Sequence, residues 1–152
     1  MSRFIASICF VLLVAATGCK KDNEFKVDPE WRYFEVGIKN ANPENWRDSS
    51  FVVATKNPAL LQKIEAQLAL PVADRNKIVA GKLASGNGGY NINSDHNFKW
   101  RIQEDDWDLV DLTIELSDGR PYSDVDVNND YWMKSVKRYT PWGSYVKREI
   151  AK

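Results

Sequence analysis

Apolar and polar residues alternate along much of the chain, and this period of two predicts β-strands. The clearest run is residues 110–116, in which Val, Leu, Ile and Leu alternate with Asp, Thr and Glu. The same alternation occurs at residues 34–39 and 98–103. A period of two with one polar face is typical of half-buried strands in an antiparallel sheet. Further strands are predicted at residues 51–54, 78–83 and 145–150.

One helix interrupts this pattern between Asn57 and Pro71. Asn57 is a favourable N-cap, Pro58 suits the first helical position, and Pro71 ends the element. Apolar side chains share one face of this helix, namely Leu61, Ile64 and Leu68. The elements together predict an α+β fold, in which an antiparallel sheet has one principal helix packed on it.

The N-terminus has a different pattern, a nearly unbroken apolar run at residues 4–16 that follows Arg3. Such a run is too short for a membrane-spanning helix, which needs about 20 apolar residues, and is typical of a secretory signal. The run ends in the sequence ATGC, whose last residue is Cys19. This junction resembles the lipobox of bacterial lipoproteins, which implies cleavage before Cys19 and its acylation, palmitate included. The alternatives are a plain signal peptide with a chance cysteine and a buried N-terminal helix.

This junction divides the chain into three predicted parts. Residues 1–18 are a lipoprotein signal peptide, residues 19–30 a flexible tether, and residues 31–152 a single α+β domain. The membrane is a predicted partner through the lipid anchor, since two or more acyl chains hold a protein stably. Lys20 stands where Asp would favour the inner membrane, so the resemblance implies the outer membrane of a bacterial cell envelope.

Cysteine and aromatic content indicate how such a domain is held together. Of the two cysteines, Cys9 lies in the predicted signal and Cys19 carries the predicted lipid. The domain therefore has no disulfide and must rely on its apolar core. Six Trp and six Tyr supply a large part of that apolar area.

Charge is balanced overall and divided locally. The chain has 21 basic and 21 acidic residues, which argues against a nucleic-acid partner. Residues 103–130 hold ten acidic residues against Arg120, a net charge of −9, and residues 131–152 hold six basic residues against Glu149, a net charge of +5. We expect the C-terminal strand at 145–150 to lie beside the acidic segment 111–118, so that opposite charges face each other.

Residue types that support nucleophilic catalysis are scarce. His96 is the only histidine, and its polar loop leads us to interpret it as facing solvent. The predicted mature domain has no thiol, no G-x-S-x-G turn and no phosphate-binding loop. We therefore predict no catalytic residue, no cofactor and no enzyme activity.

Calcium is the best of the weak metal options. Oxygen-bearing side chains recur at alternate positions, as at the start of an EF-hand loop, namely Asp124, Asp126, Asn128 and Asp130. The sixth position is Asn129 instead of Gly, and the twelfth is Ser135 instead of Glu. The segment is therefore interpreted as a charged surface turn, and no metal is predicted.

Two groups of side chains remain as candidates for ligand contact or chemistry. Tryptophans set among polar residues are free to face solvent or a partner, and they form the candidate ligand-binding set: Trp107, Trp132 and Trp142. Trp100 alternates with core positions and is expected to be buried. Carboxylates are dense in residues 104–118, and a pair about 5–9 Å apart could support glycoside hydrolysis.

Five segments between residues 50 and 150 carry a resemblance to a known family: FVVATKNPALLQKIEAQL, RNKIVAGKLASG, NFKWRI, LVDLTIELSDGRP and YTPWGSYVKREI. Their order resembles the N-terminal domain of an amoebal calmodulin-binding protein, a small secreted domain found also in bacterial extracellular proteins. Two positions depart from that pattern, since Arg101 replaces the usual His and Ser117 replaces a common Cys. The nearest match to a basic amphipathic calmodulin target is residues 131–139, and Pro141 cuts it short.

These observations lead to two hypotheses. The first is a non-enzymatic, extracytoplasmic binding lipoprotein, anchored through acylated Cys19, whose ligand is an unidentified protein or glycan. The alternative is an extracellular hydrolase that acts on polysaccharide or peptide through carboxylates of residues 104–118.

Overall fold

The computed structural model describes residues 28, 30–112 and 119–150. The strands are β1 (Arg32–Ile38), β2 (Ser50–Thr55), β3 (Ile78–Ser85), β4 (Ile92–Asn93), β5 (His96–Asn97), β6 (Trp100–Val110), β7 (Arg138–Tyr139) and β8 (Ser144–Glu149). The α-helices are α1 (Pro58–Leu68) and α2 (Asn129–Tyr131); π-helical turns span Pro121–Asp126 and Trp132–Val136, and 3₁₀ turns span Trp46–Asp48 and Val72–Asp74. The predicted signal peptide, Cys19, residues 20–27 of the predicted tether and residues 113–118 lie outside the described residues.

Two three-stranded antiparallel sheets make up most of the domain. The first has the strand order β2-β1-β8 and the second β6-β3-β7, while β4 and β5 pair separately. The fold is thus mostly antiparallel β-structure with few, short helices, which is compatible with an α+β description. Among the helices of the described part, none has the length and apolar character needed to cross a bilayer.

Most of the predicted strands are confirmed. The segments 34–38, 51–54 and 78–83 lie within β1, β2 and β3, and the last predicted strand is β8. The run 98–103 corresponds to the start of β6, with Trp100 and Ile102 fully buried. The clearest run is only partly described: Val110 ends β6, and Leu112 is 81% exposed outside any strand.

Helix α1 begins as the sequence predicts. The Asn57 side chain accepts hydrogen bonds from the amides of Ala59 and Leu60 at 3.0 and 3.4 Å, and Pro58 is the first helical residue. Leu60 and Ile64 are buried in the core, while Leu61 and Leu68 are partly buried against it. The cap and the apolar face together therefore fix where the helix starts and which side it buries.

The two sheets and α1 bury their apolar faces in one shared core. Phe51, Trp100 and Tyr139 meet at its centre, with ring centroids 5.1–5.5 Å apart in tilted or edge-on orientations. Such pairs are favourable beyond the area that they bury. Asn91, which is fully buried, adds a polar link between the sheets: it accepts from the Val52 amide and donates to the Trp100 carbonyl, both at 2.8 Å.

The Arg75 guanidinium fastens the end of α1 to β8. It donates to the carbonyls of Leu68 and Leu70, at the end of the helix and just beyond it, at 3.2 and 3.0 Å. It also donates to Val146 and Lys147 of β8 at 3.0 and 2.7 Å. A cation at a helix C-terminus also complements the helix dipole. One side chain thus satisfies four backbone carbonyls from two parts of the chain.

The C-terminal strand β8 finds a different partner from the one expected. It pairs with β1, and the acidic partner of Lys147 and Arg148 is Glu35, at 2.7 and 2.6 Å. The expected pairing with residues 111–118 is wrong for the part described, where Asp111 forms an ion pair with Lys77. Charge sums along the chain do not encode strand order, which here is set by the apolar faces of β1 and β8.

The ion pairs of Glu35 predict an acid-sensitive contribution to stability. Burial of the Glu35 carboxyl would raise its pKa, but the hydrogen bonds and charges of Lys147 and Arg148 outweigh this effect and hold the pKa below its ordinary value of 4.5. Because the folded pKa is the lower one, the contribution is present above the unfolded pKa and is lost as the pH falls through the folded pKa. We expect Glu35→Gln to lower the free energy of unfolding by about 1 kcal/mol at pH 7, and by progressively less in acid.

Urea unfolding of both proteins at a series of pH values between about 3 and 7 measures this difference. Glu44→Gln is the matched control, because Glu44 is exposed and the described residues give its carboxylate no partner. A penalty for Glu35→Gln that stays constant across the series would contradict the prediction.

Candidate functional site

A cleft opens beside the start of β1, and we name it the Trp31 cleft. It consists of two adjoining cavities of about 220 and 530 Å³ that share Trp31 and Glu104. Tyr33 and Tyr90 line the smaller cavity, and Lys56, Arg101 and Asp105 line the larger one. Concave sites of this size with aromatic walls and a few convergent polar groups are typical of ligand pockets.

Two tyrosines form the wall of the smaller cavity. The rings of Tyr33 and Tyr90 lie 5.3 Å apart at an interplanar angle of 58°. The Tyr33 hydroxyl accepts from the Asp28 amide at 2.9 Å, and the Tyr90 hydroxyl donates to Glu104 Oε1 at 2.8 Å. Burial raises the pKa of Tyr90, and the Glu104 carboxylate raises it further. Tyr90 therefore stays protonated and holds Glu104 in place.

A β-bulge in β6 carries Glu104 to the cleft. Leu83 of β3 pairs with Ile102, but Gly81 pairs with Trp107, so Lys82 alone lies opposite residues 103–106. The strand therefore contains three extra residues, and Gln103, Glu104 and Asp105 of the bulge line the larger cavity. Bulges of this kind re-aim side chains and are common beside functional sites.

Gly81 permits the bulge. A Cβ atom at this position would clash with Ile102 Cγ2 and with Trp107 Cβ at 2.5 Å, and both of those residues are buried. Only glycine lets the backbone of β3 approach the two ends of the bulge this closely.

Gly88 has a similar role at the mouth of the cleft. Its φ of +63° lies in the left-handed region, and a Cβ would lie 2.6 Å from the Tyr90 ring and 2.7 Å from Arg101 Cδ. Glycine at 88 therefore allows the loop to turn directly against two cleft residues.

The carboxylates of residues 104–118 do not converge as a set. Asp106 pairs with Arg138 at 2.9 Å, Asp108 pairs with Lys63 at 2.6 Å, and Asp111 pairs with Lys77. Glu115 and Asp118 lie outside the described residues. Glu104 and Asp105 are the carboxylates of this segment that line the Trp31 cleft.

The predicted tryptophan set is scattered. Trp107 and Trp132 are 7% and 4% exposed, so the expectation that they face solvent is wrong, and Trp142 is 50% exposed outside the Trp31 cleft. Trp107 is buried because the three extra residues reverse the alternation of β6, so that odd-numbered positions face inward after the bulge. Its indole N–H donates to the Ala54 carbonyl at 2.8 Å.

The hydrophobic pattern did not single out Trp31, although a signal was present. Trp31 alternates with Arg32 and shares with Tyr33 the face of β1 opposite to Phe34 and Val36. An aromatic pair on the face away from the main core indicates a second packing surface. That surface is the small cluster of Tyr33, Val52, Ala54 and Tyr90, against which Trp31 packs.

The candidate calcium residues face different partners. Asp126 is buried and accepts from the Lys99 amide at 2.6 Å, while Asp124 accepts from the Arg120 amide at 2.8 Å. Asp130 pairs with Lys134 at 2.8 Å, and Asn128 lies before α2. Within the described ranges no three acidic, histidine or cysteine side chains come together as a metal site would require.

His96 is not the solvent-facing loop residue that its neighbours suggested. Its ring packs edge-on between Phe98 and Tyr122, with centroids 5.0 Å away on each side. Its Nε2 atom lies 3.2 Å from Asp126 Oδ2, and its side chain is 20% exposed. The described residues place no serine or threonine hydroxyl within hydrogen-bonding distance of it, so the ring serves packing and Asp126.

Comparison with known proteins supports the resemblance carried by the five segments. The family model of the calmodulin-binding-protein N-terminal domain matches residues 30–152. No curated protein and no solved structure matches the chain. The matched region contains every cleft residue discussed above except Asp28.

The bulge predicts a large effect of Gly81→Ala. The added methyl group must displace Ile102 or Trp107 in the core, which we expect to lower the free energy of unfolding by about 2–3 kcal/mol. Gly86→Ala is the control: Gly86 has a φ of +74°, but no atom lies within 4 Å of the position that a methyl group would occupy. Its backbone strain alone should cost about 1 kcal/mol. Urea unfolding measures both values, and equal losses would contradict the role assigned to Gly81.

Proposed function

This chain belongs to the family of calmodulin-binding-protein N-terminal domains, and on that premise we propose that it is a non-enzymatic binding lipoprotein of the bacterial cell envelope. In this proposal acylated Cys19 holds it at the outer membrane, and the Trp31 cleft is its ligand-binding site. The observation that carries the proposal is the cleft itself, with its aromatic wall and the Glu104 carboxylate held by Tyr90 and Arg101. We also propose α1 as the principal helix of an α+β domain.

The state of the carboxylates favours binding over hydrolysis. A glycosidase needs two carboxyl groups that face the same bond, one of them protonated. Glu104 Oε1 accepts from Tyr90 and Arg101, and donors of this kind stabilise a charged carboxylate. Asp106 and Asp108 are engaged with cations outside the cleft. These contacts suit a fixed acceptor for a ligand better than a proton donor.

The position of the cleft fits an anchored protein. Asp28 lines the smaller cavity, and nine residues separate it from Cys19 along the chain. A flexible segment of this length has an end-to-end distance of about 15–18 Å. In the proposed arrangement the cleft is therefore held close to the membrane surface.

The anchor predicts a defined covalent product. Full-length protein extracted from membranes should have a mass equal to a chain that begins at Cys19 plus its acyl groups, as read by intact-mass spectrometry. Cys19→Ala should move the protein to the soluble fraction with an unchanged thermal midpoint, because Cys19 precedes the domain. A soluble, unmodified wild-type chain, or one that retains Met1, would refute the proposed anchor.

A substrate panel separates the binding protein from the hydrolase. The membrane-extracted protein should give no turnover with a set of polysaccharides and peptides. The hydrolase alternative predicts turnover that disappears in Glu104→Gln or in Asp105→Asn, the two carboxylates at the cleft. Asp108→Asn is the matched control, because Asp108 lies on the same strand but outside the cleft. Turnover that depends on Glu104 or Asp105 would overturn the non-enzymatic assignment.

A further inference from the structure

We propose that the Trp31 cleft binds a small organic ammonium ion, a positively charged nitrogen that carries alkyl groups. The inference rests on the proposed function, in which this cleft is the ligand site. It names the chemistry of the ligand, which neither the family match nor the sequence pattern supplies. Three features of the cleft support it: the Trp31 ring, the position of Lys56, and the carboxylates of the bulge.

The Trp31 ring already receives an ammonium group. Lys56 Nζ lies 4.9 Å from the centroid of the ring, which is within the range of a cation–π contact. Tryptophan is the most favourable of the aromatic side chains for this interaction, and aromatic walls recognise alkylated ammonium ligands. The lysine therefore marks the ring face that an external cation would use.

Lys56 is held weakly enough to be displaced. Its side chain is 55% exposed, and its ion pair with Glu30, which is 75% exposed, has a distance of 3.5 Å. Exposed pairs of this kind contribute little to stability. Lys56 can therefore leave the ring at small cost and acts as a tethered competitor of an external ammonium ion.

The larger cavity is negatively charged once Lys56 has moved aside. Glu104 and Asp105 then face the single guanidinium of Arg101. Arg101 is engaged by Glu104 at 2.9 Å and by the Ser85 carbonyl at 2.5 Å. Asp105 is exposed and has no hydrogen bond or ion pair with the described residues, and Glu104 Oε2 has none either. Two acceptors near an aromatic face match a cation and repel an anion.

The ammonium group has two possible sources. It can belong to a free small molecule or to the headgroup of a lipid, since the proposed tether keeps the cleft within about 15–18 Å of the anchor point. Choline and glycerophosphocholine are water-soluble probes for the two sources. Their neutral analogue, 3,3-dimethyl-1-butanol, has the shape of choline without its charge.

Calorimetric titration of the full-length protein in a maltoside detergent, which has no ammonium group, tests the inference. We expect saturable binding of choline or of glycerophosphocholine, and the tighter of the two identifies the source. The neutral analogue should bind at least tenfold more weakly. Trp31→Leu should weaken binding at least tenfold and Trp31→Phe less, because a phenyl ring is a poorer partner for a cation. Lys56→Met should tighten binding about two- to fivefold, because the competing ammonium is gone.

Trp142→Leu is the matched control, since Trp142 is half exposed but does not line the cleft. It should leave the affinity unchanged, and thermal midpoints of all variants show whether each is folded. Equal binding of the neutral analogue, or weaker binding by Lys56→Met, overturns the inference. An acylated, folded protein that binds neither ammonium probe also overturns it and leaves the anchored binding protein standing. An unacylated chain refutes the proposed function instead.

Discussion

The rest of the structure depends on the bulge in β6. Ile102 before it and Trp107 after it both face the core, although five positions separate them. In a regular strand an odd separation places two side chains on opposite faces. The three extra residues resolve this conflict, and Gly81 makes room for it on the neighbouring strand. The same feature projects Glu104 outward, so that the packing of the core and the shape of the cleft have a common origin.

The described part of the domain is held together without covalent cross-links, because both cysteines lie outside the described residues. Polar side chains that serve two elements at once take part of that role. Asn91 joins β2 to β6, Trp107 joins β6 to β2, and Arg75 joins the end of α1 to β8. A buried polar group that loses its partner costs more than the bond contributes. These links therefore favour one arrangement of the sheets over alternatives with similar apolar burial.

Local signals in the sequence were sufficient for most elements and insufficient for the site. The Asn57 cap and the alternation in β1 act over a few residues, so both were predicted correctly. The burial of Trp107 and the pairing of β8 with β1 depend on residues far apart in the chain. The cleft depends on them too, because Trp31, Tyr90 and Glu104 come from three separate segments. The dense carboxylates drew attention to residues 104–118, but only the bulge decides which of them reach the cleft.

The cleft is also part of the reason why β2 can be buried completely. All six of its residues are buried, so the strand reads as SFVVAT without a polar face. One face packs in the main core, and the other is covered by Tyr33, Tyr90 and the partly buried Trp31. The aromatic wall of the cleft is therefore the cover of a second, smaller core. Since its side chains are fixed by packing and by the Tyr90–Glu104 hydrogen bond, the site is organised before any ligand arrives, and little ordering has to accompany binding.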